Sequence, residues 1–327
     1  MRKSVKLNDI LLSLLLPFMT NTFEHHIKFD STIDGETNTA FSLLCSSMEN
    51  TVNVLSKAQL KQAISKGALW LTRGKHTQRL RRVKKALQQG DELHLYYNEA
   101  VLSSEVTDAI LISDESDYSV WYKTFGMLSQ GSKWSDHCTI SRFAQQHLTP
   151  ERPVFIVHRL DKAATGLILI AHSKNAARAL SSMFESRTTK DNALNKHYQI
   201  IVHGDHSKNE QPQEITTDVD GKSARSTFTC LAYDEENDQS LIDVKIDSGR
   251  KHQIRIHAAS IGLPVVGDRL HGIADTNEVT DLQLCAVSLS FICPISINKE
   301  SGIRKQFELA DHLKPQLSCP SSDRQLS

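Results

Sequence analysis

Apolar and polar positions fall into recognisable blocks along the second half of the chain. Between Pro153 and Ala171, apolar Val154 to Val157 gives way to polar His158 to Thr165, relieved only by Leu160 and two alanines. Apolar Leu167 to Ala171 follows. This pattern predicts two buried strands flanking a polar loop. After Ser173, a residue type suited to capping, Ala176, Ala177, Leu180, Met183 and Phe184 recur at helical spacing on one face, so a helix packs by that face. His197 to Val202 and Ser226 to Ala232 read as strands. Leu241 to Ile246 alternates apolar with charged residues, as a strand with one exposed side does. Ile110 to Ile112 predicts an edge strand, and Val120 to Gly126 a strand running into a polar loop with Gly131, Ser132, Lys133 and Trp134. From Gly249 to Ile261 the pattern predicts a helix with Ser248 as cap, Gly262 as stop and Pro264 just beyond. A strand is the rival reading there.

Many strands with few helices between them argue for an α+β domain on a mixed, mainly antiparallel sheet, unlike a regularly alternating parallel fold. Ahead of it lies a smaller pattern: a basic helical stretch at Lys57 to Lys66, then Gly67 and apolar Ala68 to Leu71. Gly90, Asp91 and Glu92 make a turn before the alternating run Leu93 to Tyr97. The expected organisation is an N-terminal extension (1–50), a small α/β module (51–100), the larger domain (101–312) and a flexible polar tail (313–327).

The 327 residues hold 38 Lys and Arg against 38 Asp and Glu, so net charge says nothing about a nucleic-acid partner. Its distribution does. Lys57 to Lys85 contains ten Lys or Arg, among them Lys75, Arg79, Arg81 and Arg82, and no acid. Asp91 to Asp117 contains eight acids and no Lys or Arg. The basic segment is suited to phosphate. Six scattered cysteines form neither a zinc-ribbon spacing nor a disulfide framework, which fits a reducing cytoplasm. Arg2, Lys3 and Lys6 precede apolar Ile10 to Met19. Pro17 interrupts that run, no small-residue cleavage site follows, and ten residues are too few to span a bilayer, so no secretion or membrane span is expected and Met19 is a candidate start.

Asp161 sits in the polar loop, preceded by His158, Arg159 and Leu160 and followed by Lys162, Ala163, Ala164, Thr165 and Gly166. Loops at sheet edges present side chains, and a carboxylate there can serve as nucleophile or base. Taken alone, such an Asp more often satisfies backbone donors. The stretch Val157 to Asp161 with Gly166 to Ala171 resembles the signature of RluA-type pseudouridine synthases. Further stretches agree in order. Lys196, His197 and Tyr198 with Val202, His203 and Gly204 resemble that family's Lys and Tyr strand; Gly221 to Ala224 its following turn; Ser248 to His257 with Gly262 and Pro264 to Asp268 its third motif. The 51–100 module resembles an S4-like RNA-binding domain. Lys162 to Thr165 departs from the family's usual Asp, Thr and Ser, the stretch from Phe184 to Tyr198 is longer than usual, and Thr124 stands where Pro is usual after Lys123.

The resemblance implies isomerisation of uridine to pseudouridine in ribosomal or transfer RNA without a cofactor, by a monomer. It implies Asp161 as the catalytic carboxylate, Arg255 as its ion-pair partner, and Tyr198 and Ile254 on the two faces of the uracil. Arg159 reaches the RNA, because a base must leave its stack to be acted on. His158 and His252 read as hydrogen-bonded scaffold. The alternative is a catalytically silent RNA-binding relative, against which stands the retention of Asp161, Tyr198 and Arg255 together. A metal-dependent hydrolase is disfavoured: His252 and His257 are five residues apart, off one helical face, with no Glu between them.

Overall fold

A computed structural model describes residues 21–30, 39–49, 51–185, 194–209, 211–272, 280–295 and 302–317. The apolar run Ile10 to Met19 and the candidate start at Met19 lie outside them. The chain divides into two compact units: Met1–Glu105 with Gly131–Cys138, and Val106–Gln130 with Thr139–Ser327.

The first unit is built from β1 (Thr22–Lys28), α1 (Ala40–Met48), α2 (Lys57–Ser65), β2 (Leu69–Arg73), β3 (His76–Arg79), β4 (Glu92–Asn98) and the short α3 (Glu99–Ser103). Helix α2 starts where Ser56 and Gln59 satisfy each other's backbone N–H groups in a capping box, and its Leu60, Ala63 and Ile64 face the core. Four antiparallel strands lie in the order β1-β4-β2-β3. Strand β4 alternates as expected, burying Leu93, Leu95 and Tyr97. Fully burying a Leu of this kind contributes roughly 1.5–3 kcal/mol. The first 50 residues were expected as an extension, yet β1 pairs with β4 along its whole length, and Phe29, Leu44 and Met48 join the core. The alternation of Phe23, His25 and Ile27 carries that strand, but one of its three inward positions is itself a histidine, which blurred the signal.

The second unit contains β5 (Ile110–Asp114), β6 (Tyr118–Lys123), α4 (Ile140–His147), β7 (Phe155–Ile156), β8 (Thr165–Ala171), α5 (Lys174–Glu185) and β9 (Leu194–His203). It continues with β10 (Gln213–Ile215), β11 (Ser226–Asp234), β12 (Gln239–Ile246), α6 (Gln253–Ser260), β13 (Leu284–Ile292) and β14 (Arg304–Glu308). Ten strands form one sheet with the path β10-β11-β12-β9-β13-β8-β6-β5; β14 adds to β13 and β7 to β8. Every pairing is antiparallel except β13 with β8, so the α+β, mainly antiparallel expectation is what the structure has. Strand β8 is buried on both faces, which explains its unbroken apolar run. Ile168 and Ile170 pack in the core that holds Ile140 and Ala144 of α4 and Ile254 and Ala258 of α6. Leu167 and Leu169 pack with Ala176 and Leu180 of α5 on the other side. Edge strand β5 is where the sequence put it.

One boundary moved. Helix α6 begins at Gln253, four residues later than expected, because His252 adopts the left-handed region (φ 55°, ψ 20°) and cannot continue a helix backwards. Ser248 hydrogen-bonds the Gln253 side chain and does not cap the helix. At the start of the expected tail, Lys314 binds Glu308 and Asp311, which ties the chain down past its 3-10 turn at Asp311–Leu313; residues 318–327 lie outside the described residues.

Candidate active site

Asp161 stands in the loop that leaves β7 and enters β8. Both neighbours in sequence are held by the segment after β6. Ser129 Oγ donates to the Leu160 carbonyl (2.8 Å) and accepts from the Leu160 amide (3.0 Å). The Gly126 amide donates to the Lys162 carbonyl (3.0 Å). The Lys123 ammonium donates to the carbonyls of Thr124 (3.1 Å), Met127 (2.9 Å) and, at longer range, Lys162 (3.4 Å). Burial pulls the Lys123 amine down to about 7, with the Asp161 charge opposing that shift. Lys123 is therefore part of the site's framework, a role sequence reading missed. The available signal was a lysine closing the apolar run Val120 to Tyr122.

Arg255 projects from the first turn of α6 with only 6% of its side chain exposed, and its Nη1 lies 3.5 Å from Asp161 Oδ2, while Asp161 is 29% exposed. The expected pair is therefore formed. On its other side the guanidinium meets Asp268 in a two-pronged contact, Nε to Oδ2 at 2.8 Å and Nη2 to Oδ1 at 2.5 Å. Burial works against the Arg255 charge, but the Asp268 hydrogen bonds outweigh it and hold the guanidinium above its ordinary value. Burial likewise opposes the Asp268 charge, and Arg255 together with the amides of Leu270 and His271 overcomes it. Asp268 was legible only as the last residue of a motif.

Tyr198, on β9, and Ile254, on α6, line one small cavity of about 80 Å³ together with Asp161, Arg159 and Arg255. Burial, and secondarily the charge of Asp161, pushes the Tyr198 hydroxyl well above its ordinary value, so it stays protonated at neutral pH. Two wider hollows adjoin this cavity and share Arg159 with it: one of about 360 Å³ that also takes in Asp161, Lys162 and Arg269, and one of about 730 Å³ that also takes in Tyr198 and Lys196. Arg159 is exposed at the meeting point of all three.

His158 is scaffold. Its Nε2 accepts the Leu169 amide (2.9 Å), and burial draws it down to about 3. His252 is less inert than expected: its Nε2 lies 3.8 Å from Asp161 Oδ2 and its Nδ1 2.9 Å from His271 Nε2, with burial holding it below its ordinary value. His257 is buried between Ser226 and the Thr217 carbonyl. Among the described residues no cluster of three or more His, Cys, Asp or Glu could hold a metal ion.

The basic residues of the first unit divide. Arg79 stacks over Trp70 (4.3 Å), donates to the carbonyls of Gly67 and Ser132, and lies 3.4 Å from Asp136; Arg81 also binds Asp136. These two guanidinium groups are engaged inside the unit, to which the reading from the sequence alone had given only a phosphate-binding role. A half-buried charge takes the nearest carboxylate and carbonyls in preference to staying unpaired. Lys75 and Arg82 are exposed.

Comparison with known proteins adds one decisive match: residues 117–260 fit the family model described as RNA pseudouridylate synthase. That stretch of the chain is similar to pseudouridine synthases. Asp161, Tyr198 and Arg255 all fall inside it. A relative in Aquifex aeolicus, named as an RNA pseudouridine synthase, is 28% identical over 249 residues, covering 69% of this chain and 76% of its own. The dual-specificity RNA pseudouridine synthase RluA of Vibrio parahaemolyticus is 28% identical over 191 residues, 53% of this chain and 74% of that protein. The ribosomal large subunit pseudouridine synthase D of Zymomonas mobilis is 32% identical over 162 residues, 43% and 49% of the two chains. Human RNA pseudouridylate synthase domain containing 1 shares the fold, with a TM-score of 0.51 and 19% identity over 64% of this chain and 85% of that one.

Proposed function

We propose that this protein converts uridine to pseudouridine in structured ribosomal or transfer RNA, with Asp161 as the catalytic carboxylate. The observation that carries this is the chain Asp161–Arg255–Asp268: a partly exposed carboxylate in a cavity, faced at 3.5 Å by a buried guanidinium that a second, buried carboxylate holds from behind. The reaction breaks the bond from C1′ to N1 and makes one from C1′ to C5 of the same base, and one proton leaves C5 while N1 gains one. Nothing is oxidised and no group leaves, so a carboxylate and proton-handling groups suffice. Asp161 acts either at C6 of the uracil or at the sugar. Arg255 fixes the carboxylate's orientation. Tyr198 and Ile254 offer an aromatic and an aliphatic wall for the flat ring. Arg159, exposed beside the cavity, holds the strand whose base has left its stack.

The first unit, S4-like in its order of helices and strands, is proposed to hold RNA through exposed Lys75 and Arg82, and the setting to be the cytoplasm. No helix among the described residues is long and apolar enough to cross a membrane. The test is release of tritium from RNA transcribed with label at C5 of uridine. Release by the parent and none by Asp161→Asn is the expected result. No release from either, with RNA binding intact, would instead establish a silent RNA-binding protein.

A further inference from the structure

The 730 Å³ hollow is larger than the uracil cavity needs, and the reaction leaves it unused. It shares Arg159, Tyr198 and Gly249 with the cavity that holds Asp161, so a strand whose uridine occupies one must pass the other. One wall is the His158–Phe184 pair, stacked with ring centroids 4.1 Å apart and planes 23° from parallel. His158 accepts a backbone amide and stays neutral, so this wall is an uncharged aromatic surface. Such surfaces take nucleobases.

The other feature is Lys196. It lies on β9 two residues before Tyr198, on the same side of the strand by the two-residue period, and lines the same hollow. Among the described residues its ammonium has no hydrogen-bond acceptor. Burial draws it down to about 8, with the charge of Asp247 opposing. A side-chain carbon built on Gly249 would stand 4.0 Å from Lys196 Nζ. Gly249 is not among the residues with positive φ, so its backbone does not demand glycine. What glycine provides at that position is an open approach to the amine.

We propose that this hollow is a second base subsite, which takes a nucleotide adjacent to the target uridine and reads its edge through Lys196. The inference rests on the isomerase reading above. A base enters with its sugar toward solvent, so the edge farthest from the glycosidic bond goes deepest. There guanine and uracil carry a carbonyl, whereas adenine and cytosine carry an amine. An ammonium donates three hydrogen bonds and accepts none. It therefore selects the keto bases, guanine or uracil, and leaves donor facing donor with the amino bases.

The test uses the full-length protein. Unmodified ribosomal and transfer RNA transcripts are reacted, and pseudouridines are mapped by carbodiimide-dependent stops in reverse transcription. Each neighbour of a mapped uridine is then exchanged between G and A or between U and C, with any pairing partner changed to match. At one neighbour, kcat/KM should favour the keto base by about tenfold or more. Lys196→Met should flatten that ratio, and so should Gly249→Leu, an exposed loop change that fills the approach and leaves the amine itself in place. Thermal melting checks that each variant is folded, and Gly249→Leu carries the test if Lys196→Met is not. Indifference of the parent to both neighbours, or a preference that survives both substitutions, overturns the subsite and leaves the isomerase standing. Absence of pseudouridine in every transcript overturns both.

Discussion

Lys123 places an amine where no solvent reaches it, and three backbone carbonyls are its hydrogen-bond partners. Its proton is held to near 10.5 in the unfolded chain but only to about 7 in the fold. Between those values the unfolded state binds more protons, so this group's contribution to stability rises with pH, is complete above the unfolded value and is lost as pH falls toward 7. Lys123→Met removes the titration. The stability of the parent relative to that variant, from urea unfolding at pH 7, 8 and 9, should therefore climb by up to roughly 1.4 kcal/mol per pH unit. A difference that stays flat would mean the amine keeps its proton throughout. Neither Lys123 nor Asp268 was legible as part of the site. Asp161 and Arg255 were, through motifs whose residues are contiguous. Lys123 reaches the Asp161 loop from 38 positions upstream, and Asp268 reaches Arg255 only because the chain turns sharply after α6. Such distances in sequence carry no periodic signal.

At the scale of elements, the loop bearing Asp161 returns to the sheet at Thr165 and Gly166, where β8 begins its parallel pairing with β13. Gly166 has φ +107°, and a Cβ there would stand 2.3 Å from the Ala286 carbonyl oxygen, which is backbone and cannot swing away. Gly166→Ala should cost more than about 2 kcal/mol in unfolding free energy. It should also lower kcat, because the strand end that moves carries the Asp161 loop. Chemical denaturation with single-turnover rates at saturating RNA would show both, and a variant as stable as the parent would mean that β13 yields easily. Most strands were readable because burial on one face imposes a period of two. Their order was not. Strand β8 lies between β6, some 40 residues earlier, and β13, more than 110 later, and nothing local in either sequence names the partner. Helix α6 was read too long because Arg250 and Lys251 are good helix formers and invite an earlier start, while the left-handed backbone at His252 is set by its surroundings.

For the molecule as a whole, zero net charge conceals a basic segment, and only the structure shows which of its charges remain available. Counting residues would credit Arg79 and Arg81 to RNA binding. Both are committed to Asp136, and Arg79 also to Trp70 and two carbonyls. Lys75, at the turn between β2 and β3, and Arg82 face solvent. Each phosphate contact that is lost should reduce the slope of log affinity against log salt by about 0.7–0.9, because one fewer counterion is released. Lys75→Gln with Arg82→Gln is thus expected to flatten the slope by roughly 1.5, in filter binding between 50 and 300 mM salt as a working range. Arg79→Gln should act differently: it leaves Asp136 short of a partner inside the unit, so melting temperature falls while the salt slope of the folded fraction barely changes. The reverse pattern, with the slope responding to Arg79 and indifferent to Lys75 and Arg82, would place the RNA on the Trp70 face of the sheet and move the phosphate contacts to the residues that now appear structural.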